Sequence, residues 1–203
     1  MHHSDPQGKP DVPAVTRERL HTRTIVFEGF ARSDGLWDVE GSLLDTKQVT
    51  WERINMPAYP PGAPVHHMKV LVTFDDHLTV VAISSELPTT PHDDCQKTGD
   101  PLQKLVGQRV GRGWRRAIES AMGGTAGCTH LRELMMGLAT GAIQAIGGIR
   151  DQRRRKRGLP PMQPDDEAPH FIGGCLAWRR DGPATQRYFP QFAIFPVDDK
   201  EGS

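Results

Sequence analysis

The stretch Gly123-Gly124-Thr125-Ala126-Gly127-Cys128-Thr129-His130 carries the densest chemical information in the chain. Its glycines permit turns closed to other residues, and it then delivers a thiol and an imidazole two residues apart. An apolar helical pattern follows at once, so the pair stands at a helix start, where unpaired N–H groups favour a thiolate. Cys128 could therefore be a metal ligand or a nucleophile, with His130 as co-ligand or base. It could equally be a small buried thiol beside a locally bonded histidine.

The other groups of this kind adjoin turns. His66 and His67 lie between a proline-rich segment and a strand pattern. Cys95 follows His92, Asp93 and Asp94, and Cys175 follows Gly173-Gly174. His66, Cys95, Cys128, His130 and Cys175 together offer enough N and S donors for zinc or iron. Their spacing is no finger pattern, and there is no C-x-x-C pair. For acid–base work the candidates are Glu40, Lys47, His66 and His130. Glu133 comes three residues after His130 on the same helix face. Asp45 beside Lys47 reads as an ordinary ion pair. No Walker loop, dinucleotide fingerprint, G-x-S-x-G elbow or H-E-x-x-H is present.

The elements that must position these groups can be read from periodicity. Thr24–Phe30 and Leu36–Leu43 flank Asp34-Gly35 as a hairpin, with Trp37, Val39 and Leu43 on one face. Residues 48–64 contain Pro57, Pro60, Pro61 and Pro64 and read as a long loop, a candidate lid. Met68–Phe74 and Leu78–Ile83 form a second hairpin around Asp75-Asp76-His77. Trp114–Met122 is helical and stops at Gly123-Gly124. A longer helix over Leu131–Ile149 presents Leu131, Leu134, Met135, Leu138, Ala142, Ile143 and Ile146, with Thr129 as N-cap. Residues 150–169 pass from the basic run Arg153–Arg157 to prolines and acids and read as an exposed linker. Phe171–Arg179 and Thr185–Phe189 read as a third hairpin around Asp181-Gly182. The expected fold is α+β, an antiparallel sheet of three β-hairpins on a long buried helix. The expected organisation is a tail over 1–20, one domain over 21–190 and a C-terminal tail over 191–203.

Composition narrows the class. The chain has 203 residues, 25 basic and 25 acidic side chains and a formal net charge of zero, which argues against a nucleic-acid binder. The basic run lacks interleaved aromatics and reads as solvated. No apolar run reaches membrane-span length, and the first twenty residues show no secretion signal. Three cysteines, an odd number, fit reduced thiols in the cytoplasm rather than a disulfide framework.

Gly35-Leu36-Trp37-Asp38-Val39-Glu40-Gly41, Leu44-Asp45-Thr46-Lys47, Val65-His66-His67-Met68, Leu105-Val106-Gly107, Gly113-Trp114 and Gly127-Cys128-Thr129-His130-Leu131-Arg132-Glu133-Leu134 resemble one family. It is the bacterial family known as domain of unknown function 2889, and the resemblance runs from Arg23 to Pro190. The resemblance implies a cytoplasmic bacterial protein, of a family found often in species with broad aromatic or lipid catabolism. It also implies that His66, Cys95, Cys128, His130, Glu133 and Cys175 belong to the family pattern. Ser84 stands where family members tend to carry an acidic residue, with Glu86 nearby, and Leu176 stands where they often carry a histidine.

Two readings follow. The first is a small-molecule catabolic enzyme, a retro-aldol or deformylating lyase or a hydrolase. It would act by acid–base chemistry on an aromatic or hydroxylated intermediate, with or without zinc or iron and with no organic cofactor. The second is a non-catalytic module whose cysteines and histidines hold a structural metal while a partner binds the surface. The expected partner is a small substrate, with homo-oligomer formation open and neither nucleic acid nor membrane involved.

Overall fold

The computed structural model describes residues 15–160, 162, 168–169 and 171–195. The expected tails over 1–20 and 191–203 and the linker over 150–169 therefore lie partly outside the described residues. The chain forms two compact units, divided between Ile149 and Arg150.

The first unit is built on a four-stranded antiparallel sheet in the order β1-β2-β5-β6. β1 (His21–Ala31) and β2 (Trp37–Lys47) are a hairpin, as expected. Gly35 takes a φ of 92°, and Asp34 Oδ1 accepts the Leu36 N–H, so the Asp-Gly turn sets the register. β5 (Pro64–Phe74) pairs with β2 and with β6 (Val80–Thr89). Asp75 Oδ1 accepts the N–H groups of His77 and Thr79 and shapes the β5–β6 turn. The strands run beyond their apolar cores: β1 begins at His21 and β5 at Pro64. The expected loop over 48–64 contains a second, two-stranded sheet, β3 (Trp51–Arg53) and β4 (Met56–Tyr59). Trp51 stacks on Tyr59, and the Arg53 guanidinium covers both rings, which gives this short hairpin its cohesion.

Alternation divides the sheet. Trp37, Val39, Leu43, Met68, Val70, Val72 and Phe74 are buried on one face. Against it lie α1 (Trp114–Met122), as expected, and α2 (Thr129–Lys156). The buried side of α2 is Leu131, Leu134, Met135, Leu138, Ala142 and Ile146. Trp114 Nε1 donates to the Met135 carbonyl and joins the two helices. Glycine sets the closest approach: a Cβ on Gly137 would meet the Phe27 ring at 2.8 Å, and one on Gly29 would meet Ala145 Cβ at 2.2 Å. Between β6 and α1, residues Asp93–Leu105 form a 3₁₀-like segment that buries Leu102 and Leu105.

Helix α2 outlasts the expected Ile149 end. The apolar stripe stops there, but Arg, Gln and Lys are good helix formers, and four cations in the last turn suit the negative end of the helix. Gly158, with φ 69°, closes it: its N–H meets the Arg155 carbonyl, and the Leu159 N–H meets that of Arg154. The start of the expected linker, with most of its basic run, is therefore helix.

The expected third hairpin is absent among the described residues, where 171–189 carry turns, bends and a short helix and no strand. In the second unit, residues 183–188 form the short helix α3 (Pro183–Tyr188). Pro183 at its first turn has no N–H for a strand ladder and a φ suited to a helix start. Phe171, Trp178 and Phe189 meet there as rings, with centroids 4.8, 5.6 and 5.7 Å apart. Among the described residues the fold is thus α+β, with one four-stranded antiparallel sheet, one two-stranded sheet and helices. No helix among the described residues is long and apolar enough to cross a membrane.

Replacing Gly29 by Ala should push strand from helix and cost about 1–3 kcal/mol. Gly148→Ala, at an exposed interior position of α2 with open space around it, should instead stabilise by about 0.5–1 kcal/mol. Urea unfolding of both variants checks the opposite signs.

Candidate functional site

One cross-strand row organises the site. Arg23 of β1 lies opposite Asp45 of β2, and Asp45 lies opposite His66 of β5. Asp45 is 2% exposed, so its carboxylate must find its partners inside the protein. It does: Arg23 Nε donates to Oδ1 and Nη2 to Oδ2, each at 2.8 Å. His21 Nε2 lies 3.0 Å from Oδ1, and His66 Nδ1 lies 3.1 Å from Oδ2. Burial pushes this carboxyl up, but the hydrogen bonds and charges of Arg23 and His21 outweigh it and hold the pKa at about 2. The group is an anion at neutral pH.

An ionised carboxylate only accepts, so the His66 proton sits on Nδ1 and the lone pair on Nε2. Burial lowers the His66 pKa and the neighbouring His130 lowers it further, against the pull of Asp45. His66 is therefore neutral at neutral pH, with a free basic nitrogen.

The first turn of α2 supplies the rest. Gly123 is the C-cap of α1, and Gly124 takes a φ of 58°. Gly127 passes so close that a Cβ there would meet Met122 Cβ at 2.4 Å. This tight return seats Cys128 and His130 at the end of the sheet that carries Asp45. The His130 ring lies 3.9 Å from that of His66, its Nε2 is 3.8 Å from Asp45 Oδ2, and its Nδ1 is 3.5 Å from Cys128 Sγ. Glu133 pairs with Arg23 rather than with His130, and so ties the helix to β1. Cys128 is half-buried against the core. Its burial would raise the thiol pKa, but hydrogen bonds with His130 and with the backbone N–H groups of Leu131 and His130 bring it below the usual value.

Of the sequence-derived candidates, the structure brings together His66, His130 and Cys128. Glu40 is elsewhere: alternation along β2 puts it on the opposite face from Asp45. There it lines a concavity of about 360 Å³ with Glu28, Ser42, Lys69 and Glu86. That hollow is separate from the titratable cluster. Lys47 turns its ammonium over the Trp51 ring at 5.1 Å instead of pairing with Asp45. Cys95 lies in the Asp93–Leu105 segment, and Cys175 is exposed in the second unit. Sequence reasoning does not reach His21 and Arg23, and Asp45 pairs with Arg23 rather than with the expected Lys47. Counting the ladder outward from the Asp34-Gly35 turn would have set Arg23 against Asp45.

Asp45, His66 and His130 each offer one ligand atom within 4.8 Å of the others, a spacing that a metal ion could use. Two imidazoles and a carboxylate suit zinc or iron(II). The carboxylate, however, already accepts from Arg23 twice, from His21 and from His66, which fills its acceptor positions and sets a cation beside the site. A metal would have to displace one of these, so the donor set as arranged fits an ion poorly. No cysteine joins this group among the described residues.

The model of the family described as protein of unknown function (DUF2889) matches residues 21–144, which cover the whole cluster, and the chain belongs to that family. No curated protein and no solved structure matches the chain.

Asp45→Asn should cost about 3 kcal/mol, the low end for a buried pair because Arg23 is partly exposed. A depressed carboxyl pKa stabilises above its ordinary value of 3.8 and loses that contribution as pH falls towards about 2. Stability measured across this window should fall in the wild type and lack that slope in Asp45→Asn.

Proposed function

We propose that the protein is a small-molecule enzyme that works by acid–base chemistry at the Asp45–His66–His130 cluster. The favoured reaction is a retro-aldol or deformylating cleavage, with hydrolysis as the second member of the class. The observation that supports this reading is the buried, ionised Asp45 fixing His66 as a neutral base with Nε2 free.

In the cleavage, His66 Nε2 takes the proton of a substrate hydroxyl. The C–O bond becomes a carbonyl, the adjacent C–C bond breaks, and its electron pair stays on the departing carbon. The proton, held on His66 or passed to the stacked His130, returns to that carbon. Asp45 stabilises whichever imidazole is cationic. In hydrolysis, the same nitrogen takes the proton of water. Both routes suit a hydroxylated or aromatic small molecule. Neither uses Glu40 or Lys47, and neither passes through zinc or iron, because Asp45 has no acceptor position to spare.

The test has a substrate-free arm and a turnover arm. Nitrogen NMR should find His66 protonated on Nδ1 and titrating below an ordinary imidazole. A panel of β-hydroxy aryl compounds, read by formaldehyde or aldehyde release, should show turnover that survives chelation. His66→Gln should reduce turnover by about 10²-fold or more. Full activity in that variant would remove the proposal. Stoichiometric zinc or iron that is lost with Asp45→Asn would replace it with a metal-assisted reaction.

A further inference from the structure

Cys128 is a nucleophilic group beside the cluster that acid–base cleavage leaves unused. Its Sγ lies 3.5 Å from His130 Nδ1, and Nε2 of the same ring lies 3.8 Å from Asp45 Oδ2. The three groups therefore run thiol, imidazole, buried carboxylate. That is the order of parts in thiol hydrolases, recognised by geometry rather than by position in the chain. The imidazole that takes the thiol proton becomes a cation facing Asp45, which stabilises it at that distance.

The backbone adds to this. Cys128 stands at the start of α2, where its carbonyl accepts the Arg132 N–H at 2.9 Å and its sulfur faces the N–H groups of His130 and Leu131. Helix starts leave such donors unpaired, and they suit a sulfur anion. The thiol is only half-buried, so a small electrophile can reach it.

We propose that Cys128 is a nucleophile served by His130, and that it accepts an acyl group from an activated ester or thioester. The sulfur attacks the carbonyl carbon and an S–C bond forms while the thiol proton moves to His130. The bond from that carbon to the leaving oxygen or sulfur then breaks, and His130 returns the proton to the leaving group. Water, deprotonated by the same imidazole, releases the acid and restores the thiol. The inference rests on the same cluster as the proposed reaction, but not on carbon–carbon cleavage.

The full chain is treated with p-nitrophenyl acetate, nitrophenolate release is followed, and the acetyl group is located by peptide mass spectrometry. The expected result is about one acetyl group per chain, on Cys128. The exposed Cys175 is the internal control, since accessibility alone would favour it. His130→Gln should slow acylation by at least about tenfold, and Cys128→Ser should abolish it. Circular dichroism confirms that both variants remain folded. Preferential acetylation of Cys175, or an unchanged rate in a folded His130→Gln, overturns the inference. Failure to acylate Cys128 while aldehyde release persists overturns it without touching the proposed reaction.

Discussion

Everything at the candidate-site end of the sheet depends on keeping one carboxylate charged out of water. An unpaired Asp45 at this depth would neutralise itself or unfold its surroundings. The sequence supplies a guanidinium across the β1–β2 ladder and an imidazole across the β2–β5 ladder, so the charge is met from both sides. This ties the chemistry to strand register. A slip of one residue in either ladder would turn Arg23 or His66 to the other face and leave Asp45 without its partner. The glutamate at position 133 extends the constraint to the helix layer, because Arg23 serves both carboxylates.

The helix must then arrive in one place. Phe27 fills the surface opposite Gly137 and Gly141, and Gly29 admits Ala145, so α2 seats on β1 at backbone-like distance. At its other end, the tight return through Gly127 fixes where the first turn begins. Those two glycine-dependent contacts determine the position of His130 relative to His66. The His66–His130 pair is thus a product of close packing rather than of a flexible loop, which suits the proposed acid–base site.

Much of this was legible in the sequence, and the gaps have physical causes. Both hairpins of the main sheet were visible because their cores alternate and their turns carry Asp-Gly or Asp-rich signals. The helix over 114–122 showed both its stripe and its glycine stop. Cys128 and His130 were visible as a pair because they are neighbours in the chain. The Arg23–Asp45–His66 row was not, because all three lie where the strands have run past their apolar residues. Hydrophobic patterning is silent there, and only the ladder count extends it. The third hairpin failed at Pro183, whose missing N–H and fixed φ favour a helix start over a strand. The helix end failed because propensity and a glycine cap carried α2 past its apolar stripe.

The stacked imidazoles add a final constraint on what the cluster can do. Two unit charges about 4 Å apart repel by roughly 4 kcal/mol at the effective dielectric of a protein surface. The ring centroids of His66 and His130 are 3.9 Å apart, and the charge of His130 is among the causes that lower the His66 pKa. Asp45 Oδ2 lies 3.1 Å from His66 Nδ1 and 3.8 Å from His130 Nε2, so it faces both rings through the same oxygen. Under the proposed reaction, such a stacked pair is suited to moving a proton within one turnover. It is poorly suited to storing charge. This favours reactions in which the proton removed at one substrate atom is returned at another, and it explains why a neutral His66 and a charged Asp45 belong together.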